Sequence, residues 1–214
     1  MNDGVVVLHG IFRTNRSMSG LSKFLEKSGF IVLNLDYPST KYSIENLADI
    51  IAPQIQKFAE KTSGKLHFVG YSMGGLLIRA YLKNHQPNNL GKIVMLGTPN
   101  KGSEVADFLQ NFWLYKKLYG PAGQQLITNQ TVFEKIFNSL EGLEVGIIAG
   151  NKPIDPISSR IIGKPNDGKV SIESTSIKDV KDKVLVPCSH TFFPSNRKVW
   201  LQVLSFLQTG LFKH

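Results

Sequence analysis

The 214-residue chain has a single cysteine, Cys188, so no internal disulfide can brace it, and a reducing compartment suits it. Its apolar runs last only a few residues, which excludes a membrane-spanning helix at the level of sequence. Repeats, low-complexity tracts and Pro/Ser linkers are missing. So is any dense run of lysines of the kind that marks nucleic-acid binding, and no nucleic-acid partner is expected. No H-E-x-x-H or similar ligand cluster occurs, so neither metal nor cofactor is expected. Met1 to Leu8 carries no Lys or Arg ahead of the short run Val5-Val6-Val7-Leu8, so no signal peptide is expected and a cytoplasmic location is.

What is present describes a globular chain. Hydrophobic residues make up 42% and charged residues 19%, enough to bury the core of one domain. Lys and Arg number 25 against 16 Asp and Glu, a formal charge of +9. That balance favours anionic surfaces or substrates, including transient contact with an anionic membrane.

Strand and helix patterns alternate along the chain. Strands are expected at Gly4–Leu8, Phe30–Asp36, Lys65–Val69, Lys92–Leu96, Val145–Ala149 and Lys183–Val186. Helices are expected at Ser17–Ser28, Ser43–Lys61, Ser72–Asn84 and Ser195–Gln208, the last stopping at Gly210. Pro53 should kink or split the second helix, because it lacks an amide donor. Alternation of this kind implies an α/β fold with a mostly parallel sheet of about six strands flanked by helices. Ligands in such sheets bind beyond the carboxyl ends of the strands. The segment 103–143 breaks the rhythm and reads as a helical insertion in a single 1–214 domain, a candidate lid.

The sharpest motif is Gly70-Tyr71-Ser72-Met73-Gly74-Gly75. It directly follows a strand pattern and directly precedes a helix pattern, the setting in which a G-x-S-x-G sequence lifts a serine hydroxyl above the sheet. The alternative is that Ser72 merely caps the helix. With His9-Gly10-Ile11-Phe12, Gly97-Thr98-Pro99-Asn100-Lys101-Gly102-Ser103, Asn166-Asp167-Gly168 and Ser189-His190, the motif resembles the α/β-hydrolase superfamily, in particular its small bacterial lipases and lipase-like esterases. The resemblance implies a minimal six-stranded α/β-hydrolase fold with a helical cap. It also implies ester hydrolysis through an acyl-enzyme.

Acyl transfer at a serine needs two backbone donors for the developing oxyanion. One should be the amide of Met73; the resemblance assigns the other to Ile11, with Phe12 as the fallback. Of the five histidines, only His190 lies in a loop after a late strand, which makes it the expected general base. Two acids compete. Asp155 follows the fifth strand, whereas Asp167 sits in Asn-Asp-Gly, 23 residues before His190. The resemblance favours Asp167, because larger bacterial lipases carry their acid in that setting. Those lipases place a calcium-binding aspartate two residues after the histidine; Phe192 stands there instead, and no calcium is expected.

Seven aromatics fall between residues 108 and 137: Phe108, Phe112, Trp113, Tyr115, Tyr119, Phe133 and Phe137. Most should pack the insertion onto the core, with a few facing the cleft; Phe12 and Trp113 are the substrate-binding candidates, and Gly120-Pro121-Ala122-Gly123 reads as a tight turn and hinge. Gly163 to Lys169 fits G-x-x-x-x-G-K, but Val170 replaces the Ser or Thr that would bind magnesium and no strand precedes it, so a phosphate loop is not expected. The expected partner is a small-molecule or lipid ester. An acyltransferase or thioesterase on the same residues is the alternative, with a non-catalytic binding protein behind it.

Overall fold

The structure is a computed structural model that describes residues 2–129, 137 and 140–214. Six strands form one parallel sheet: β1 (Gly4–Leu8), β2 (Ile31–Leu35), β3 (Leu66–Tyr71), β4 (Leu90–Leu96), β5 (Val145–Gly150) and β6 (Asp182–Val186). Their order is β2-β1-β3-β4-β5-β6, so the chain starts inside the sheet, fills one edge, then crosses back and builds outward to the other.

The strand β1, paired on both sides, is buried along its whole length, as its unbroken apolar run implies. Its side chains alternate between two cores. Val6 and Leu8 join Ile44, Leu47 and Ile51 of α2 (Ile44–Glu60) and Leu76 and Leu77 of α3 (Met73–Asn84). Val5 and Val7 join Leu21 and Leu25 of α1 (Ser19–Lys27) and Val199, Val203 and Phe206 of α7 (Arg197–Thr209). The period-two pattern of a strand thus feeds helices on both faces.

Several boundaries differ from expectation for local reasons. The first helix begins as a 3-10 turn at Asn15–Met18. The closing helix starts later because His190–Ser195 forms a second 3-10 turn and the Asn196 side chain caps the amides of Lys198 and Val199. Pro53 does not split α2, which runs unbroken from Ile44 to Glu60. Pro53 and Asp49 both lie on the exposed face, so water can serve the Asp49 carbonyl that loses its amide partner.

Between β4 and β5 the described part of the insertion holds α4 (Glu104–Leu109) and α5 (Trp113–Gln124). The expected tight turn at Gly120 is instead a sharp bend inside α5: Gly120 has φ 61° and ψ −164°, and a Cβ there would meet the Thr40 carbonyl. A short helix that the pattern did not announce, α6 (Pro156–Ile162), follows β5. Phe133, one of the seven aromatics, lies outside the described residues.

Candidate active site

The strand β3 ends at Tyr71, the helix α3 begins at Met73, and Ser72 occupies the bend between them with φ 54° and ψ −123°. A non-glycine residue in this region is strained. The strain is held by packing on both sides. Ser72 donates its amide to the Leu96 carbonyl at 2.8 Å and accepts from the Gly75 amide at 3.0 Å. Neither Gly70 nor Gly74 has positive φ; what they supply is closeness. A Cβ on Gly70 would sit 2.6 Å from Gly75, and one on Gly74 would sit 2.5 Å from the Leu8 carbonyl oxygen and 2.6 Å from that of His9. Only glycines let β3, α3 and the end of β1 approach this far.

The bend aims the Ser72 hydroxyl at His190. Ser72 Oγ lies 3.0 Å from His190 Nε2, and His190 Nδ1 lies 2.7 Å from Asp167 Oδ2. Ionised Asp167 only accepts, so the ring proton sits on Nδ1 and Nε2 is left to accept from the hydroxyl. Asp167 is almost wholly buried and fully engaged: its Oδ1 accepts from the amides of Lys169 (2.9 Å) and Val170 (2.8 Å), and its carbonyl accepts the His190 amide at 2.9 Å. Asn166 builds the turn by accepting the Gly168 amide at 2.8 Å. Gly97, with φ 55°, ends β4 beneath the pair; a Cβ there would stand 3.1 Å from Asp167 Oδ2 and 3.2 Å from His190 Nδ1.

Asp155, the competing acid, is elsewhere employed. It caps α6 through the Ser158 amide (3.0 Å) and hydroxyl (2.7 Å) and pairs with Lys169 Nζ at 2.7 Å. Those contacts, the lysine above all, hold its carboxyl well below the usual carboxylate range.

The loop after β1 faces the serine. Gly10 packs against Tyr71 and Ser72, where a Cβ would come within 3.2 Å of the Ser72 Cβ. The Phe12 amide donates to Ser39 Oγ at 3.2 Å, which turns the fallback oxyanion donor away. Among the described residues the Ile11 amide has no such acceptor, and the Met73 amide, first in α3, has no intrahelical one. His9 is a structural residue: wholly buried, it stacks on Tyr37 with ring centroids 4.0 Å apart, and burial lowers its pKa.

These groups open into a cleft of about 340 Å³. Ile11, Phe12, Ser72 and His190 line it, with Val105, Ala106 and Leu109 of α4 and Tyr115 and Tyr119 of α5 as its apolar wall. Trp113 does not reach it, a correction to its candidacy. At 3.6 residues per turn, Tyr115 and Tyr119 share the inner face of α5, and Trp113 lies on the other side, 71% exposed. Phe12 does reach the cleft, edge-on to Tyr119 with centroids 4.5 Å apart. A larger open groove lies outside, between α4 and α6, away from the serine.

Sequence reasoning passed over Tyr71. Its hydroxyl donates to the His190 carbonyl at 3.0 Å, its ring lies 5.3 Å from the imidazole, and burial pushes its phenol pKa up. Its position inside the motif was the available signal. Arg13 and Lys169, also unremarked, place two cations on the cleft wall.

The sheet order, the flanking helices and the solved structures that superpose on them define an α/β-hydrolase fold. Mature lipase BlEst2 of Bacillus licheniformis matches with a TM-score of 0.79 at 18% identity, over 97% of this chain and 91% of that one. The sequence profile of the palmitoyl protein thioesterase family matches residues 4–142, and the chain belongs to that family. It is 35% identical over 112 residues to the lysosomal thioesterase PPT2 homolog of Drosophila melanogaster, 49% of this chain and 38% of that protein. Human lysosomal thioesterase PPT2 is 28% identical over 138 residues, 56% of this chain and 44% of that one. A triacylglycerol lipase of Burkholderia plantarii is 28% identical over 116 residues, 50% and 32% of the two chains. The chain therefore spans less than half the length of these curated relatives.

Proposed function

We propose that the protein is a serine hydrolase that cleaves fatty acyl esters, thioesters included, with Ser72 as nucleophile, His190 as general base and acid, and Asp167 as the group that orients and stabilises the imidazole. The observation that carries this reading is the unbroken hydrogen-bond chain Ser72–His190–Asp167 at the floor of an apolar cleft.

The geometry supports the following course of reaction. With an acyl chain against the α4 and α5 wall, Ser72 Oγ attacks the carbonyl carbon while its proton passes to His190 Nε2. The carbonyl oxygen becomes an oxyanion, for which the Ile11 and Met73 amides are the proposed donors. Collapse expels the alcohol or thiol, protonated by His190, and leaves an acyl ester on Ser72. Water then attacks the acyl carbon as its proton passes to Nε2; the second collapse breaks the bond to Ser72 Oγ, which takes that proton back, and the acid leaves. Buried Asp167 is held throughout by the amides of Lys169 and Val170.

Thioester cleavage is included because the family profile and the animal relatives are thioesterases by name. The buried, unpaired Cys188 needs no oxidising compartment, and a cytoplasmic place of action is part of the proposal. Among the described residues no helix is long and apolar enough to cross a membrane.

The test is turnover of p-nitrophenyl esters and acyl-coenzyme A thioesters of graded chain length. The expected result is hydrolysis that strengthens with chain length until the cleft is filled, and a loss of about 10⁶ in kcat for Ser72→Ala. Equal turnover by the Ser72→Ala protein would overturn the assignment.

A further inference from the structure

Between β4 and β5 the chain presents an apolar face that none of the described residues covers. Phe108, Phe112, Trp113, Leu114 and Leu118 are each half or more exposed, on two consecutive helices and the corner between them. The rings of Phe108 and Phe112 lie 6.0 Å apart, so the face is continuous across the α4–α5 corner. Phe108 also forms one wall of the open groove whose other wall is Ile154 and Ile157 beside α6, themselves 61% and 74% exposed. Scattered exposed hydrophobics are ordinary; a contiguous set around a cleft marks an interaction surface.

The charges on this face select its partner. No Asp or Glu occurs between Phe108 and Phe133, whereas Lys116 and Lys117 lie on α5 among the leucines. Arg160 lines the groove, and Arg13 adjoins exposed Phe12 at the cleft mouth. Among the described residues none of these four cations makes an ion pair, and Lys117 Nζ lies 6.0 Å from the centre of the Trp113 ring. The acids nearby are already engaged: Asp155 by Lys169, Asp107 by Thr128. Tryptophan, leucine and phenylalanine beside unpaired lysine and arginine on a short exposed helix are the composition of a segment that lies in a bilayer interface.

We infer that this face, built from the outer side of α4 and α5 and the α4–α6 groove, docks the protein on a bilayer rich in anionic phospholipid, with the apolar side chains entering the acyl boundary and the four cations meeting headgroup phosphates. The surface stands independently of the hydrolase reading, because Ser72 takes no part in it.

Cosedimentation of the Ser72→Ala protein with vesicles tests it, since bound protein then cannot consume lipid. Binding is expected to phosphatidylcholine vesicles that contain phosphatidylglycerol, and much less to phosphatidylcholine alone. Leu114→Ser with Leu118→Ser should lower partitioning about tenfold or more on both, as expected when two buried leucines are lost. Lys116→Glu with Lys117→Glu should lower it about tenfold or more on the anionic vesicles only, and less as salt is raised. In the Ser72 background these variants should keep wild-type circular dichroism and wild-type turnover of a short water-soluble ester. Absent cosedimentation, or partitioning that both pairs leave unchanged, would overturn the inference. So would sedimentation equilibrium showing a dimer that the leucine substitutions dissociate, for the face would then belong to a second copy.

Discussion

At the scale of single residues, the site depends on which polar groups already have partners. Of the aspartates between β5 and His190, Asp155 and Asp167 both looked suited to hold an imidazole. Asp155 is consumed by a helix cap and by Lys169; Asp167 is buried, with one oxygen on two backbone amides and the other on His190. Asp167→Asn should leave the ring in the wrong tautomer and lower kcat by about 10⁴ with little change in KM. Asp155→Asn should keep the helix cap, cost at most about 1 kcal/mol of stability through the lost ion pair with Lys169, and leave kcat near wild type. Steady-state kinetics on one ester, beside urea melts, distinguishes the two, and the reverse pattern would reassign the acid. The sequence alone could not choose, because both residues fit the chain order and only the fold reveals what else each one touches.

At the scale of elements, most of the sheet was legible. Six runs of β-branched and aliphatic residues separated by glycine or proline turns correspond to six strands, with ends shifted by a residue or two. What stayed hidden was decided by partners distant in sequence. The α6 cap needs Asp155 and Ser158 in register, and the inner face of α5 becomes evident only once the cleft is in place. A further hidden feature is the junction of β3 with β4, where the register slips between Leu66 and Phe68. There His67 fills the irregularity: its Nδ1 accepts the Lys92 amide at 2.7 Å, and its Nε2 lies 3.5 Å from Asp3. An Nδ1 that accepts cannot be protonated without losing the bond, and burial lowers the pKa accordingly. The folded value lies below the unfolded value near 6.5. The unfolded chain therefore binds the proton first, and this contribution is whole above that pH and declines below it, by at most about 1.4 kcal/mol per pH unit. Urea midpoints measured from pH 7.5 to pH 5 should fall for wild type and fall less steeply for His67→Gln. His9, whose pKa is likewise lowered, leaves the variant a residual slope. Parallel slopes would show that His67 does not govern the junction.

At the scale of the whole molecule, the sheet gathers at one rim what the chain scatters over almost its full length: the loop after β1, the bend after β3, the glycine after β4, the acid turn before β6 and the histidine after it. The motif and its strand–helix setting made the serine legible, and elimination made the histidine so. The hold of Tyr71 on His190 depends on this convergence and left no trace in composition. On the function proposed above, that rim makes Ser72 alone nucleophilic. The most direct measurement is the mass of the intact protein, followed by peptide mapping, after exposure to a fluorophosphonate. One adduct on Ser72 is expected in wild type, none in Ser72→Ala and greatly slowed labelling in His190→Ala. An adduct mapped to another residue, or labelling indifferent to either substitution, would contradict the account.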